Sequence, residues 1–270
     1  MTDQKRFFNK YLELLGVEAS KPAFELLEKI VKAHLIIIPF ENISKLLYKK
    51  EGMNYIPDLS IYLNGIEQYS FGGTCYANNY YLYLLLAHLG FNIKLCGADM
   101  KNPDVHLISI VKIDEHEYIA DGGYAAPFLT PLPIDLGKDY VISNGKEKYF
   151  VKPKDENGRT RVEQHYDSKL QHWYTVKPQP RKIEEFRKVI EDSYADDATF
   201  MNAVRAVRFT ETGSVSLRNF TLTEITGASI CTTKFCREEI PAVISEKFGM
   251  PEDLISEALA TVKELRNIYD

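Results

Sequence analysis

Cys75 closes the segment Phe71-Gly72-Gly73-Thr74-Cys75 and is followed by an apolar run from Tyr76 to Leu89, long enough for about four helical turns. The cysteine therefore stands at the mouth of a predicted helix, where unpaired backbone amides and the positive end of the helix dipole favour a thiolate over a thiol. Gly72 and Gly73 allow a sharp turn and close approach to a ligand, Thr74 is the expected N-cap, and Gly90 the expected stop. A thiol nucleophile needs a base, and the base needs an acceptor that orients it. His106 and Asp121 are the best candidates. His106 opens a predicted strand with Ile108 and Ile110 on the same face, and Asp121 ends the next strand. A turn centred on Ile113 and Asp114 would set residue 106 directly opposite residue 121, with Cβ atoms about 4.5 to 5.5 Å apart. A turn centred on Glu115 and His116 would spoil that alignment, so the register is an expectation.

The other histidines have weaker settings. His34 and His88 fall late in apolar helices and are expected to favour those helix ends, His116 lies in a turn, and His165 and His172 lie in strands without a comparably placed carboxylate. The cysteines at 75, 96, 231 and 236 lack the short paired spacing of a zinc site or a redox pair and are too few for a disulfide scaffold. Cys96, Cys231 and Cys236 are read as structural thiols, and no metal is expected.

The elements that must position these groups are legible in the pattern of apolar residues. Phe7 to Leu15 and Pro22 to Leu35 have helical spacing, the second with Phe24, Leu27, Ile30 and Val31 in one stripe behind a Ser20 cap. Next, Pro39 interrupts Ile36 to Asn42; this stretch reads either as a buried turn stapled by Phe40 or as a place where Glu41 and Asn42 brace the cysteine loop. After the cysteine helix come short β-branched and aromatic runs: 93–96, 107–113, 117–120, 140–143, 149–151, 161–166 and 171–176. Strands in direct succession imply antiparallel pairing in a small barrel or curled sheet. Beyond Lys177-Pro178-Gln179-Pro180 the pattern predicts helices at 183–193 and 199–207, two or three strands within 215–225, and a final helix from Pro251, at its first turn, to about Ile268.

The chain of 270 residues can bury a sizeable core and is expected to form one body of two or three subdomains. Its formal charge of -5, without a basic cluster interleaved with aromatics, argues against a nucleic-acid partner. Met1 to Asn9 lacks the apolar core of a signal peptide and no stretch is apolar enough to span a bilayer, so a soluble cytoplasmic protein is expected.

Jointly, these residues resemble the arylamine N-acetyltransferases: Pro39-Phe40-Glu41-Asn42, Gly72-Gly73-Thr74-Cys75 with Asn79 one turn on, Val105-His106, and Ala120-Asp121-Gly122-Gly123-Tyr124. The resemblance covers nearly the whole chain. It implies an acetyl-CoA-dependent enzyme with a Cys-His-Asp triad, in which Cys75 is acetylated, His106 is the base and Asp121 orients it. The acceptor would be an aromatic amine or hydroxylamine, and the protein a monomer or homodimer. It also implies an α+β fold with a helical N-terminal part, a central antiparallel β-barrel and a C-terminal α/β lid around a cysteine-protease-like core. The expected divisions are 1–90, 91–180 and 181–270. Gly122, Gly123 and Tyr124 are candidates for admitting the cofactor's pantetheine arm, and Phe40, Tyr76 and Phe128 for apolar walls. Glu41, Asn42, Phe71, Gly72, Gly73 and Asn79 would support the site.

Two positions depart from the family pattern. Members usually have arginine where Phe71 stands and glutamate or glutamine where Ala77 stands, so Glu41 is expected to lack its cation and to rely on backbone amides, with Phe71 packed on neighbours such as Phe40. A different Cys-His-Asp enzyme remains an alternative, either an acyltransferase using another acyl donor or a hydrolase. A weakly active or inactive family member is the other.

Overall fold

The N-terminal apolar stripes fold as α1 (Asp3–Leu15) and α2 (Phe24–Ile37) in the computed structural model, which describes residues 3–262 and 264–266. Leu27, Ile30 and Val31 form the buried face of α2, whose N-cap is Ala23 rather than the expected Ser20. The residue before a proline avoids the α region, so Pro22 keeps Lys21 out of the helix and moves its start downstream. The chain then enters a short strand, β1 (Phe40–Glu41), and two helices that the apolar pattern did not announce, α3 (Ile43–Lys50) and α4 (Leu59–Tyr69).

The cysteine helix is α5 (Cys75–His88). It ends where Gly90 adopts φ of +88° and the amides of Gly90 and Phe91 bond back to the carbonyls of Ala87 and Leu86, a paired closure that needs a left-handed residue at its centre.

The middle of the chain is a run of antiparallel strands: β2 (Asn92–Asp99), β3 (His106–Ile113), β4 (His116–Ala120), β5 (Leu132–Pro133), β6 (Tyr140–Asn144), β7 (Glu147–Val151), β8 (Thr160–Tyr166) and β9 (Lys169–Val176). They form one eight-stranded sheet in the order β5-β4-β3-β2-β9-β8-β7-β6, curled into a barrel with α5 packed against β2 and β3. Strands joined by short turns pair with their neighbours, which gives the antiparallel order without crossover helices.

Beyond the prolines, residues 183–193 divide into a 3-10 turn (Ile183–Phe186) and α6 (Arg187–Asp192). The helix expected over 199–207 is absent. A single 3-10 turn (Thr199–Met201) precedes β10 (Arg205–Thr210), which continues through β11 (Gly213–Arg218), β12 (Thr221–Thr226) and β13 (Ser229–Lys234). The cause is tertiary. Asn42 Nδ2 donates to the carbonyls of Phe200 and Ala203, both at 2.7 Å, and its Oδ1 accepts from the amide of Arg205 at 2.8 Å, which holds this segment beside β1. β1 thereby becomes an edge of the five-stranded sheet β1-β10-β11-β12-β13, pairing Phe40 with Val207 and Glu41 with Ala206. Helices α7 (Ile240–Phe248) and α8 (Glu252–Thr261) complete the α/β lid. Pro251 is the N-cap of α8 rather than part of its first turn, and the expected extension to Ile268 lies outside the described residues.

The main apolar core joins α1, α2, α4 and α5 to the barrel, and a second core lies between α3, the lid sheet, α7 and α8. Among the described residues no helix is long and apolar enough to cross a membrane. Cys96 is buried, and burial pushes its thiol up to about 12, whereas Cys231 and Cys236 are exposed and pack no core, contrary to their reading as structural thiols.

Asn42→Ala should cost about 2 to 4 kcal/mol, since it strands buried carbonyls and an amide between the helical part and the lid. Urea unfolding measures this, and a loss below about 0.5 kcal/mol would show that the lid is held by its apolar core alone.

Candidate active site

The loop that presents Cys75 is tied down from below. Thr74 occupies the N-cap position of α5 but makes no side-chain cap bond; Asn78 holds the helix start instead, donating through Nδ2 to the carbonyls of Gly73 (3.1 Å) and Pro39 (3.3 Å) and accepting from the Tyr62 hydroxyl (3.0 Å). The buried Glu41 carboxylate accepts from the Gly72 amide at 3.1 Å, while the Glu41 amide donates to the Gly73 carbonyl at 3.1 Å. Gly72 has no room for a side chain: a Cβ there would lie 1.9 Å from the Pro39 carbonyl oxygen. Asn42 faces the other way, toward the lid.

His106 and Asp121 meet inside the barrel wall, with side chains 1% and 0% exposed. His106 Nε2–H donates to Asp121 Oδ2 at 2.9 Å. The pairing differs from the expected register, because Ile113 pairs with His116 and Ser109 with Ala120, which centres the turn on Asp114 and Glu115. The positions shift by two rather than by one, so the two side chains stay on one face and meet diagonally where the ladder ends, not as a directly opposed pair. Asp121 Oδ1 accepts from Asn79 Nδ2 at 2.8 Å and from the Gly123 amide at 3.0 Å. Asn79 also donates to the Leu107 carbonyl at 2.5 Å and accepts from the Gly122 amide at 2.7 Å, so this residue of α5 fixes the ends of β3 and β4 together.

Burial opposes charge on both partners. For Asp121 it is outweighed by His106, Asn79 and Gly123, which hold the carboxyl below its ordinary value. For His106 burial is outweighed by Asp121 and by a hydrogen bond and charge from Cys75, and the ring is raised to about 10. Nε2 is committed to Asp121, so Nδ1 is the nitrogen left for Cys75. The Gly123 backbone lies against Cys75: a Cβ there would come within 2.7 Å of Cys75 Cα. Cys75 itself is 9% exposed, with Sγ 4.0 Å from the Val105 carbonyl.

Aromatic rings back the imidazole. Tyr174 and Tyr124 lie 5.0 and 5.7 Å from His106, centroid to centroid, and Tyr124 stacks on the fully buried Phe128 and bonds His172 Nδ1 at 2.7 Å. Phe40 packs edge-on against Phe200. His34 does not decorate a helix end, as its position suggested; it is fully buried, bonds the Tyr11 hydroxyl through Nδ1 at 3.0 Å and packs against Gly122. Burial lowers it to about 4, with Asp121 opposing. His88 stacks on Phe8, His116 pairs with Asp135 and His165 with Glu163, all away from Cys75.

The positions that depart from the family pattern reshape the support. Phe71 turns into the lid core beside Tyr69 and among Ile43, Leu46 and Leu47, not onto Phe40. Glu41 is satisfied by the Ser44 amide (2.9 Å) and hydroxyl (2.5 Å) together with Gly72; burial still pushes it up. Ser44, Asn78, His34 and Lys45 are site neighbours that spacing did not reveal. An Asn-Asn pair inside an apolar helix was the one visible signal among them.

A family model described as N-acetyltransferase matches residues 23–254. The pineal gland isozyme of arylamine N-acetyltransferase from Gallus gallus is 29% identical over 237 residues, 78% of this chain and 79% of its own length. Among solved structures, the arylamine N-acetyltransferase of Mycobacterium abscessus superposes with a TM-score of 0.79 at 17% identity, covering 96% of each chain. That of Mycobacterium marinum, solved in complex with CoA, gives 0.78 at 18% identity, covering 94% of this chain and 99% of its own.

Phe71→Arg should lower stability by about 2 to 4 kcal/mol, because it buries a guanidinium among aliphatic side chains. A stable variant in urea titration would contradict that packing. His34 has a folded value below its ordinary 6.5, so its contribution is present above that pH and lost as pH falls toward 4. His34→Gln should therefore remove about 3 kcal/mol of the wild type's loss between pH 6.5 and 4, read from unfolding free energies at each pH. Parallel curves for the two proteins would place the acid sensitivity elsewhere.

Proposed function

The chain belongs to the arylamine N-acetyltransferase family, and on that premise we propose that it transfers an acetyl group from acetyl-CoA to an aromatic amine or hydroxylamine through a Cys75 thioester. The observation that supports this reading most is the 2.9 Å bond from His106 Nε2 to a fully buried Asp121, with Cys75 at the first position of α5. In the first half-reaction Cys75 Sγ attacks the thioester carbonyl, the bond to the CoA sulfur breaks, and His106 protonates the departing thiol. In the second the amine nitrogen attacks the acetyl carbon, His106 takes its proton, and Cys75 leaves as thiolate. The oxyanion of each tetrahedral intermediate accepts from the Cys75 amide, which has no helical partner at this position. Asp121 keeps Nε2 protonated, so Nδ1 faces the chemistry, and stabilises the imidazolium.

We assign the approach of the pantetheine arm to the turn Gly122-Gly123-Tyr124 and an apolar contact to Phe40 and Tyr76, with Phe128 acting one layer back by stacking on Tyr124. In this reading residues 1–90 supply the nucleophile, 91–180 the histidine and aspartate, and 181–270 the lid. The free thiols of all four cysteines fit a reducing cytoplasm, in which the enzyme acts as a monomer or homodimer.

Mixing the protein with acetyl-CoA should add one acetyl group to Cys75, release CoA, and lose the group again on adding an arylamine, as followed by intact mass. Cys75→Ser should form no stable adduct. Asp121→Asn should slow acetylation by on the order of 10³ to 10⁴, since the amide favours the wrong tautomer. CoA release without an acetyl-enzyme would favour a hydrolase, and no reaction with acetyl-CoA at all would favour another acyl donor or an inactive relative.

A further inference from the structure

His106 stands at the open end of its sheet. The ladder between β3 and β2 stops at the pair of His106 with Ala98, and the ladder between β3 and β4 stops three residues further in, at Ser109 with Ala120. Neither ladder includes Val105, yet its carbonyl oxygen lies 4.0 Å from Cys75 Sγ. The backbone on the N-terminal side of the histidine therefore needs another anchor.

Asp104 supplies it. Its backbone is left-handed, with φ of +55°, a conformation that aspartate tolerates better than most residues, and its amide donates to Asp99 Oδ1 at 2.9 Å. Its carboxylate is gripped from two sides, with Lys177 Nζ 2.6 Å from Oδ1 and Arg181 Nη1 3.4 Å from Oδ2. Lys177 Nζ also reaches Asp99 Oδ1 at 2.8 Å, so one ammonium joins both ends of the loop between β2 and β3. Both cations come from the connection that follows β9 and are themselves tied to β2, the Lys177 amide donating to the Gly97 carbonyl at 3.0 Å and the Arg181 amide to that of Leu95 at 2.8 Å. A Cβ on Gly97 would lie 2.2 Å from Asp104 Oδ1, so β2 leaves the carboxylate its space. The Arg181 guanidinium sits 4.9 Å from the centre of the Phe186 ring, which packs in one apolar cluster with Cys75 and Leu107.

We propose that Asp104 is a positioning residue for the transfer reaction: held between Lys177 and Arg181 in a left-handed turn, it fixes the Val105 carbonyl beside Cys75 and the entry of the chain into His106. It acts through Val105 and His106 and touches no substrate. The inference rests on Cys75 and His106 being the nucleophile and the base.

The test is the single-turnover rate of Cys75 acetylation at saturating donor, followed by intact mass after rapid quenching, in a background where Cys231 and Cys236 are serine. Two donors are compared, acetyl-CoA and p-nitrophenyl acetate, the second lacking every phosphate that a cation could bind. Asp104→Asn keeps a residue suited to the left-handed turn and removes the charge, while Lys177→Met removes the shared ammonium. Each should slow acetylation by both donors about tenfold, within the range that a small misplacement of reacting groups produces. The paired side chains are 21 to 26% exposed, so each change should move the unfolding temperature by no more than about 3 °C. A rate loss without a matching stability loss separates positioning from a merely structural role. The double variant should be no slower than either single one, as expected for two members of one pair. Unchanged rates in the single variants, a loss confined to acetyl-CoA, or losses that multiply in the double variant would each overturn the inference. Should Asp104→Asn fail to fold, Lys177→Met decides the matter by the same two rates. A wild type acetylated at Cys75 by neither donor would instead overturn the reading of Cys75 as nucleophile, and the role of Asp104 with it.

Discussion

Asp121 is an ionised carboxylate with no exposed surface, and the placement of the surrounding elements follows from the need to satisfy it. Its oxygens accept from His106, Asn79 and Gly123, which come from a strand, a helix and a turn far apart in the chain. Removing one partner of a buried charge costs about 3 to 5 kcal/mol, so α5 must abut the ends of β3 and β4 at a fixed height. Asn79 sets that height by also bonding Leu107 and Gly122. The same geometry brings the Gly123 backbone against Cys75 and leaves no space for a side chain at that position.

Beneath Cys75 a second buried acid and a buried base divide the work. The Glu41 carboxylate accepts from the Gly72 amide and from Ser44, which fastens the Gly72-Gly73 turn, and Lys45 lines the small cavity beside the same turn, bonded to Ser193. They are four residues apart in sequence, the acid on β1 and the base on α3, and yet serve different groups. Phe71 belongs to the lid core, and a cation near the loop is contributed by α3. Asn42, next to Glu41, turns toward Phe200, Ala203 and Arg205, so neighbouring residues couple the lid and the cysteine loop to the same short strand.

Local chemistry made part of this legible beforehand. The start of α5 is marked by paired glycines, its end by Gly90, and the barrel strands by β-branched runs, and these signals survive because neighbouring residues dictate them. Interactions between distant segments were not legible. Residues 199–207 have apolar spacing that suits a helix, but Asn42 captures their backbone for pairing with β1. The β3–β4 turn falls on Asp114 and Glu115, with Asp114 at a φ of +52°, a choice that spacing alone leaves open between adjacent pairs of residues. Lys45 and His34 look like ordinary helix residues in sequence; only the packing of α3 against the lid, and of α2 near Gly122, buries them.

The central claim is that a buried aspartate holds His106 as an imidazolium poised beside Cys75. Nitrogen-detected NMR of the His106 ring in the resting enzyme tests it most directly. The account predicts that Nε2 and Nδ1 both carry protons at pH 7 to 8, with no titration until the pH nears the raised value of about 10. A ring that is neutral at pH 7.5 and titrates near the ordinary 6.5 would contradict it.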